Sequence, residues 1–373
     1  MKKIAIFMHN FNGGGAEKVT IKLADELEKR GYNVTFIMRE TIGELKNTVP
    51  HSINVIDLNI NNKSKIIKNL KNITALKKIF NANEFDIMLS ITFNMSVLAG
   101  IAKFISRSKM KLFAIMHNTI SKEKNSLFML RKLIIKLVNK QIKRFVFVSD
   151  GARLDFIQTM KIDDKKTITI YNPVVSDEIE EKCLEKINCD WLDNKGGYKV
   201  IVNIGRLTPQ KNQQFLLQAI KKVSEEIKVR LIILGEGELR KKLETKADEL
   251  QISDIVNFYG FAENPYVFLK KADLFVLSSD YEGLPTVLIE SLACGCNIVS
   301  TDCPTGPYEI LDNGKYGKLV QLNNLEEMVE NIKYMLKSGG LEENILKERA
   351  KVFSIENSVD KYILLMEDKD EEL

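Results

Sequence analysis

The sequence predicts an α/β protein built on two doubly wound parallel sheets, and three observations carry that prediction. Short apolar runs recur along the chain, each followed by a longer segment of helical periodicity. The runs are apolar throughout, as in strands that helices cover on both faces. The 373 residues, 45% of them hydrophobic, are enough for two cores of ordinary size.

Taken in order, strands are expected in the first half near residues 3 to 8, 33 to 38, 53 to 56, 86 to 91, 111 to 116, 144 to 148 and 167 to 170. In the second half they are expected near 199 to 204, 229 to 234, 255 to 258, 273 to 277, 297 to 300 and 317 to 320. After the first strand, Gly13-Gly14-Gly15 lets backbone approach a ligand before a helix from about Ala16 to Arg30. The loop lacks the G-x-G-x-x-G spacing, and no acid after a second strand takes the ribose role, which sets a nicotinamide-binding reading aside. Val174 to Gly197 is polar and charged, and a hinge is expected near Asn172 to Val175.

The most informative stretch follows the apolar run Ala272 to Leu277. Glu282-Gly283-Leu284-Pro285 is expected to turn the chain, with Pro285 suited to a first helical position and a helix from Thr286 to Ala293. Backbone N–H groups at such a junction face the crevice where open α/β sheets bind anions. Glu290, about two helical turns from Glu282, is expected on the same side, so that acid, N–H cluster and acid suit a nucleotide sugar. Arg206 and Lys211 follow the run Lys199 to Ile204 and place two cations at another strand end. His117 follows the run Leu112 to Met116, where a lone histidine is more often structural than catalytic; His9 sits beside the glycine loop.

These stretches together resemble the retaining glycosyltransferases of family 4, which have the GT-B fold. The likeness is carried by Asn12-Gly13-Gly14-Gly15-Ala16-Glu17, Met116-His117-Asn118, Ile170-Tyr171-Asn172-Pro173, and Gly205-Arg206-Leu207-Thr208-Pro209-Gln210-Lys211-Asn212. Leu234-Gly235-Glu236-Gly237, Tyr259-Gly260-Phe261 and the two-glutamate segment follow in the family's order. The resemblance implies two Rossmann-like domains facing a central cleft. Residues 1–172 would form the acceptor-binding domain, joined by a final helix at about 355–373, and residues 173–354 the nucleotide-sugar-binding domain.

It implies further that the donor is a nucleoside diphosphate sugar, with a UDP-sugar favoured. Arg206 and Lys211 would stabilise the departing diphosphate, aided by N–H groups around Leu284, Pro285, Thr286 and Val287. Glu282 would hold sugar hydroxyls, Glu290 the ribose, and the segment Gly260, Phe261 to Asn264 the base. Gly205, Gly235, Glu236 and Gly283 would complete the donor site, and His117 with the Gly14-Gly15 loop would reach the sugar on domain closure. No cofactor or metal is expected, since cationic side chains and helix ends replace a divalent ion in this fold. No carboxylate is identified for a covalent intermediate, so retention is expected by front-face attack. Alanine at Lys211 or Glu282 is expected to abolish transfer with the fold intact.

The acceptor is less defined. Ser300 to Leu311 resembles a subgroup that uses N-acetylgalactosamine or related hexoses in surface-glycan assembly, such as capsule or O-antigen pathways. A polyprenyl-diphosphate-linked glycan is the acceptor expected if the chain meets a membrane. Residues 1–172 hold 30 Lys and Arg against 14 Asp and Glu, whereas residues 173–373 hold 25 against 36. That cationic half suggests an anionic partner surface. The patch Leu127 to Arg144 repeats Leu127, Leu130, Ile134, Leu137 and Val138 at helical spacing and carries Arg131, Lys132, Lys136, Lys140, Lys143 and Arg144. Such a helix would either rest on an anionic leaflet or pack its apolar face on the sheet and leave a solvated basic face. No aromatic interleaving or module points to nucleic acid.

The five cysteines form no zinc spacing and no even disulfide framework, which reads as reduced thiols in a cytoplasmic protein, peripheral to the inner face of the plasma membrane if the basic helix binds. Met1-Lys2-Lys3 and the apolar run after it form the first strand, not a signal peptide, and no run is long enough to span a bilayer. Two other readings stay open: a sugar phosphorylase or nucleotide-sugar epimerase on the same fold, and a non-catalytic glycan-binding or membrane scaffold.

Overall fold

The computed structural model describes residues 2–12, 15–60, 64–82, 84–117, 120 and 128–369, excluding the side chains of residues 65 and 128–131. The chain divides into two compact units, Met1–Pro173 with Ile355–Leu373, and Val174–Ser354.

The first unit holds β1 (Lys3–Met8), β2 (Asn33–Met38), β3 (Asn54–Asp57), β4 (Ile87–Ile91), β5 (Lys111–Met116), β6 (Arg144–Phe147) and β7 (Thr167–Thr169). Their order is β3-β2-β1-β4-β5-β6-β7, every pair parallel, so the winding direction reverses between β1 and β4. Its helices are α1 (Gly15–Lys29), α2 (Lys65–Ala82), α3 (Phe93–Ser106), α4 (Phe128–Val138) and α5 (Asp150–Met160). The central strands bury nearly every side chain, which is why they read as unbroken apolar runs.

The second unit opens with α6 (Glu178–Cys183) and α7 (Asp190–Asp193), in the stretch whose sequence is merely polar. It continues through β8 (Lys199–Ile204), α8 (Gln213–Ser224), β9 (Val229–Leu234), α9 (Arg240–Glu249), β10 (Val256–Gly260), α10 (Tyr266–Lys271) and β11 (Leu274–Leu277). It ends with α11 (Thr286–Ala293), β12 (Ile298–Thr301), α12 (Pro307–Ile310), β13 (Lys318–Val320), α13 (Leu325–Ser338) and α14 (Glu343–Ala350). The parallel order β10-β9-β8-β11-β12-β13 reverses between β8 and β11. The chain enters and leaves this unit side by side, because the N–H groups of Val174 and Val175 both donate to the Phe353 carbonyl at 3.1 Å.

The last helix, α15 (Ile355–Met366), belongs to the first unit. Val359, Tyr362, Leu365 and Met366 share a buried cluster with Ile4, Ile6 and Leu27, and Arg30 reaches Asp360 at 2.8 Å.

The basic helix corrects two expectations. It ends at Val138, a 3-10 turn (Asn139–Gln141) carries Lys140, and Arg144 already opens β6. Leu137, expected on one face with Ile134 and Val138, is exposed, whereas Ile135 and Val138 are buried. Gly100 of α3 accounts for this rotation: a β-carbon there would come within 2.8 Å of the Val138 Cβ, so Val138 packs where α3 presents no side chain.

Candidate active site

In the second unit the reversal between β8 and β11 brings two loops together. The first, after β8, leads into a 3-10 turn (Pro209–Lys211). Asn212 then takes a left-handed conformation at φ 45° and caps α8 by accepting from the Phe215 N–H at 3.3 Å. This turn pins the lysine before it. Gly205 leaves room for the Lys211 stem, since a β-carbon there would lie 3.2 Å from Lys211 Cε.

The second loop, after β11, supplies the partner. Lys211 Nζ donates to Glu282 Oε1 at 2.6 Å, and the Ser279 hydroxyl donates to the same oxygen at 2.6 Å. The side chains are 17% and 9% exposed, so this ion pair is largely withdrawn from water. Around it the loops are zipped: Ser278 Oγ donates to the Lys211 carbonyl, Asn212 Nδ2 to Asp280 Oδ1, and Gln210 Nε2 to the Tyr281 carbonyl, each at 2.8 Å. A third loop supports them, with Thr301 Oγ1 donating to the Ser279 carbonyl and Thr305 Oγ1 to the Glu282 carbonyl, both at 2.6 Å. Burial, then the charge of Glu282, pushes the neighbouring Cys303 thiol up to about 12, which leaves it protonated and inert.

Two expectations about this segment change. The helix α11 spans Thr286–Ala293 as expected, with Glu282 in the turn before it, but Pro285 is extended (φ −69°, ψ 99°) as the cap residue instead of the first helical position. The two-turn spacing to Glu290 therefore does not apply, although Glu290 does lie on α11, close enough to Tyr266 to add to the burial that raises its phenol. The alanine expectation changes as well, because removing either partner of a buried pair costs stability along with activity.

Three strand ends beside the pair are flush glycine. Gly205, Gly235 and Gly260 follow or close the neighbouring strands β8, β9 and β10, and the Gly235 N–H donates to the Gly260 carbonyl at 2.7 Å. Gly235 has φ 135°, and a β-carbon there would come 2.1 Å from the Gly205 carbonyl oxygen. Among the described residues Arg206, which is exposed, has no ion pair. Glu236 is tied to Arg240 at 2.8 Å, and Phe261 is 73% exposed. Asn264 is structural: it donates to the Lys182 carbonyl and to Glu185, each at 2.8 Å, and accepts from the Tyr266 N–H. Gly283, Leu284 and Thr286 line the turn into α11, and the described residues provide no side-chain cap for that helix.

Ser279, Thr301 and Thr305 were not singled out by sequence. Ser279 lies two residues beyond β11 and could have been suspected from that position; the other two carry no local signal, because their acceptors are backbone atoms of another loop.

In the first unit His117 follows β5. Its Nε2 is buried with no hydrogen-bond partner among the described residues, and burial lowers its pKa to about 4, so the ring is neutral near pH 7. His9, at the end of β1, is also lowered, first by partial loss of water around its ring and then by the charge of Arg39. Gly15 opens α1, whereas Gly14 lies outside the described residues, as does the Arg131 side chain. Lys136 and Lys140 are exposed and Lys132 half-exposed. Leu133 and Leu137 stand exposed beside them, at 58% and 68%. The described residues include no group of His, Cys, Asp and Glu able to hold a metal ion, and no helix among them is long and apolar enough to cross a membrane.

Comparison with known proteins places these features. The model of glycosyl transferases group 1 matches residues 191–352, and that of Glycosyltransferase Family 4 matches residues 13–178. The chain is 29% identical over 362 residues to the N-acetylgalactosamine-N,N'-diacetylbacillosaminyl-diphospho-undecaprenol 4-alpha-N-acetylgalactosaminyltransferase of Campylobacter jejuni, covering 95% of this chain and 96% of that one. It is 26% identical to a second enzyme of that organism, GalNAc-alpha-(1->4)-GalNAc-alpha-(1->3)-diNAcBac-PP-undecaprenol alpha-1,4-N-acetyl-D-galactosaminyltransferase, over 98% of each chain. Among solved structures, HepE of Anabaena in complex with UDP superposes with a TM-score of 0.81 at 20% identity, over 99% of this chain and 100% of that one.

Proposed function

The chain belongs to the GT-B glycosyltransferases, its two units matching family 4 and group 1 in turn, and from that premise we propose that it transfers an N-acetylhexosamine or related hexose, with retention, from a UDP-sugar to a hydroxyl of a lipid-linked glycan. The observation that carries the donor half of this reading is the buried Lys211–Glu282 pair at the reversal point of the second sheet. Strand ends at such a point are where open α/β sheets bind nucleotides. UDP in the HepE complex supports the nucleotide. The two Campylobacter relatives, named as N-acetylgalactosaminyltransferases acting on undecaprenol-linked diphosphates, support the sugar and the acceptor.

The chemistry follows from the pair. An ammonium has three protons, so Lys211 can keep one on Glu282 and turn the others to the donor diphosphate. A cation about 4 Å from a phosphate charge is worth about 4 kcal/mol at an effective dielectric near 20, enough to favour departure of the diphosphate. Arg206 and the N–H groups opening α11 add to that stabilisation. Glu282 receives both intramolecular bonds on Oε1, which leaves Oε2 to accept from a sugar hydroxyl. Glu290 is assigned to the ribose and the backbone at Gly260 and Phe261 to the base. His117, neutral, serves as a hydrogen-bonding group and not as a cation. The acceptor proton passes to a donor phosphate oxygen in front-face attack, and no divalent ion takes part.

Thermal-shift titration tests the donor. A nucleotide at a hundred times its Kd stabilises the native state by about 2.7 kcal/mol. UDP is expected to raise Tm, GDP, ADP and CDP much less, and Lys211→Met to remove the UDP shift. Equal shifts with all four would sink the UDP assignment. A second observation, Leu133 and Leu137 exposed between Lys132, Lys136 and Lys140, favours seating α4 on an anionic leaflet. Each lysine is worth about 1 kcal/mol near such a surface. Changing all three to Gln is expected to release the protein from phosphatidylglycerol vesicles in a flotation assay; unchanged flotation would remove this reading.

A further inference from the structure

At the carboxyl ends of β1 and β2, in the first unit, sits a cation that the donor chemistry does not use. Arg39 follows β2 and is only 7% exposed. Its backbone is fixed on both sides: its N–H donates to the Met8 carbonyl at 3.1 Å, and its carbonyl accepts from the Ile60 N–H at 3.3 Å. Its side chain has no ion pair among the described residues, and its Nε is buried without a hydrogen-bond partner. The other buried atoms left unpartnered belong to amides, a hydroxyl and the His117 ring, so among the described residues Arg39 is the charged member of that group.

The adjacent acid attracts this charge without forming an ion pair with it. Glu40 follows Arg39, but its Oε1 already accepts from Lys68 Nζ of α2 at 3.0 Å. His9 stands on the next strand end, where the Glu40 N–H donates to its carbonyl at 3.1 Å. Two cations therefore face one carboxylate, and an imidazole whose protonation their charge opposes lies beside them. Proteins seldom leave a desolvated guanidinium unpaired, because the cost of taking it out of water is repaid only by an anion with matching geometry. The planar fork of Arg matches two phosphate oxygens at once. A structural role would instead give its N–H groups carbonyls to cap, as Arg349 caps those of Ile310 and Glu309 in the second unit.

Building on the lipid-linked acceptor proposed above, we propose that Arg39, next to the Lys68–Glu40 pair, grips the diphosphate of that acceptor at the carboxyl ends of β1 and β2. The sheet sets the distance to the reacting end. His117 follows β5, and β2 and β5 are three strand steps apart in the order β2-β1-β4-β5. At roughly 4.8 Å per step this is about 14 Å, which leaves room for sugar rings between the gripped diphosphate and a hydroxyl near His117. Arg39 is thus a residue that measures the acceptor: it would prefer a glycan carried on a diphosphate to the same glycan without one.

Calorimetric titration of the full chain, held at saturating UDP so that the donor site is filled, tests this with farnesyl diphosphate, farnesol and inorganic diphosphate as probes. Wild type is expected to bind farnesyl diphosphate at least tenfold more tightly than farnesol, and Arg39→Met to lose at least tenfold of that affinity with UDP affinity unchanged. The methionine variant should also melt no lower than wild type without ligand, since it removes a charge that lacks a partner. Arg39→Lys keeps the charge but not the fork and is expected to lose at least threefold; it carries the test should the methionine variant fail to fold. Wild-type affinity for farnesyl diphosphate in both variants would overturn the assignment. Inorganic diphosphate bound through Arg39 as tightly as farnesyl diphosphate would overturn the lipid-linked source. Absence of any UDP binding to wild type would count against the donor reading alone, because the Arg39 comparison can be run without nucleotide.

Discussion

The carboxyl edges of the two sheets treat their buried titratable groups in opposite ways. In the second unit Lys211, Glu282, Ser279, Asn212 and Asp280 satisfy one another, and three loops are tied into one frame. In the first unit Arg39 Nε and His117 Nε2 are also buried, yet they lack partners among the described residues. The difference teaches that a site can be prepared in two ways. One edge arranges its charges by mutual pairing and, on the proposed reading, would need only to exchange a bond when ligand arrives; the other leaves charge and hydrogen-bonding capacity unused.

Substitutions can break or sharpen that contrast. The largest effect is expected for Lys211→Met, which leaves a buried carboxylate unpaired. Stability should fall by about 3 to 5 kcal/mol in a urea melt, and turnover by roughly 100-fold to 1,000-fold. Adding Glu282→Gln should restore much of the stability but none of the turnover, and a double variant no more stable than the single would mean that the pair is not what ties the loops. On the other edge the sign depends on pH. The folded pKa of His117, about 4, lies below its ordinary 6.5, so the unfolded chain takes up the proton first. The penalty is absent above pH 6.5, grows as pH falls, and is complete below about 4, where it reaches about 3 kcal/mol. His117→Gln should flatten that acid limb and leave stability at pH 7.5 nearly unchanged; a wild-type acid limb in the variant would show that the ring is not buried neutral. The smallest effect is expected for Ser279→Ala, which removes one hydrogen bond to a carboxylate and should lower stability by about 2 kcal/mol, with KM for donor rising more than kcat falls. A neutral result would show that Lys211 alone orients Glu282.

The frame was far more legible in the sequence than its wiring. All the strands fall within a residue or two of their expected places, because a strand buried on both faces must be apolar at every position, and that leaves a continuous mark. Lys211 and Glu282 were legible as candidates, because the stretches around them resemble those of the family. That they face each other was not, because 71 residues separate them and only the sheet order brings them together. The helical phase of α4 was misread for a similar reason: Gly100, on another helix, decides which of its leucines faces outward. Arg39 gave no local sign at all. A single arginine after a strand looks like any surface cation until its burial is known.

The glycines at the ends of β8, β9 and β10 set how this protein can change over time. Gly235 admits no β-carbon and Gly260 only at the expense of the Glu236 carboxylate, 2.7 Å from where it would stand. In a saturation library these positions should therefore be depleted of nearly every alternative. Phe261, one residue beyond Gly260 and open to solvent, should tolerate many. If the base rests at Phe261 as proposed, such a layout would let nucleotide preference be retuned through one exposed side chain above a floor that admits little change.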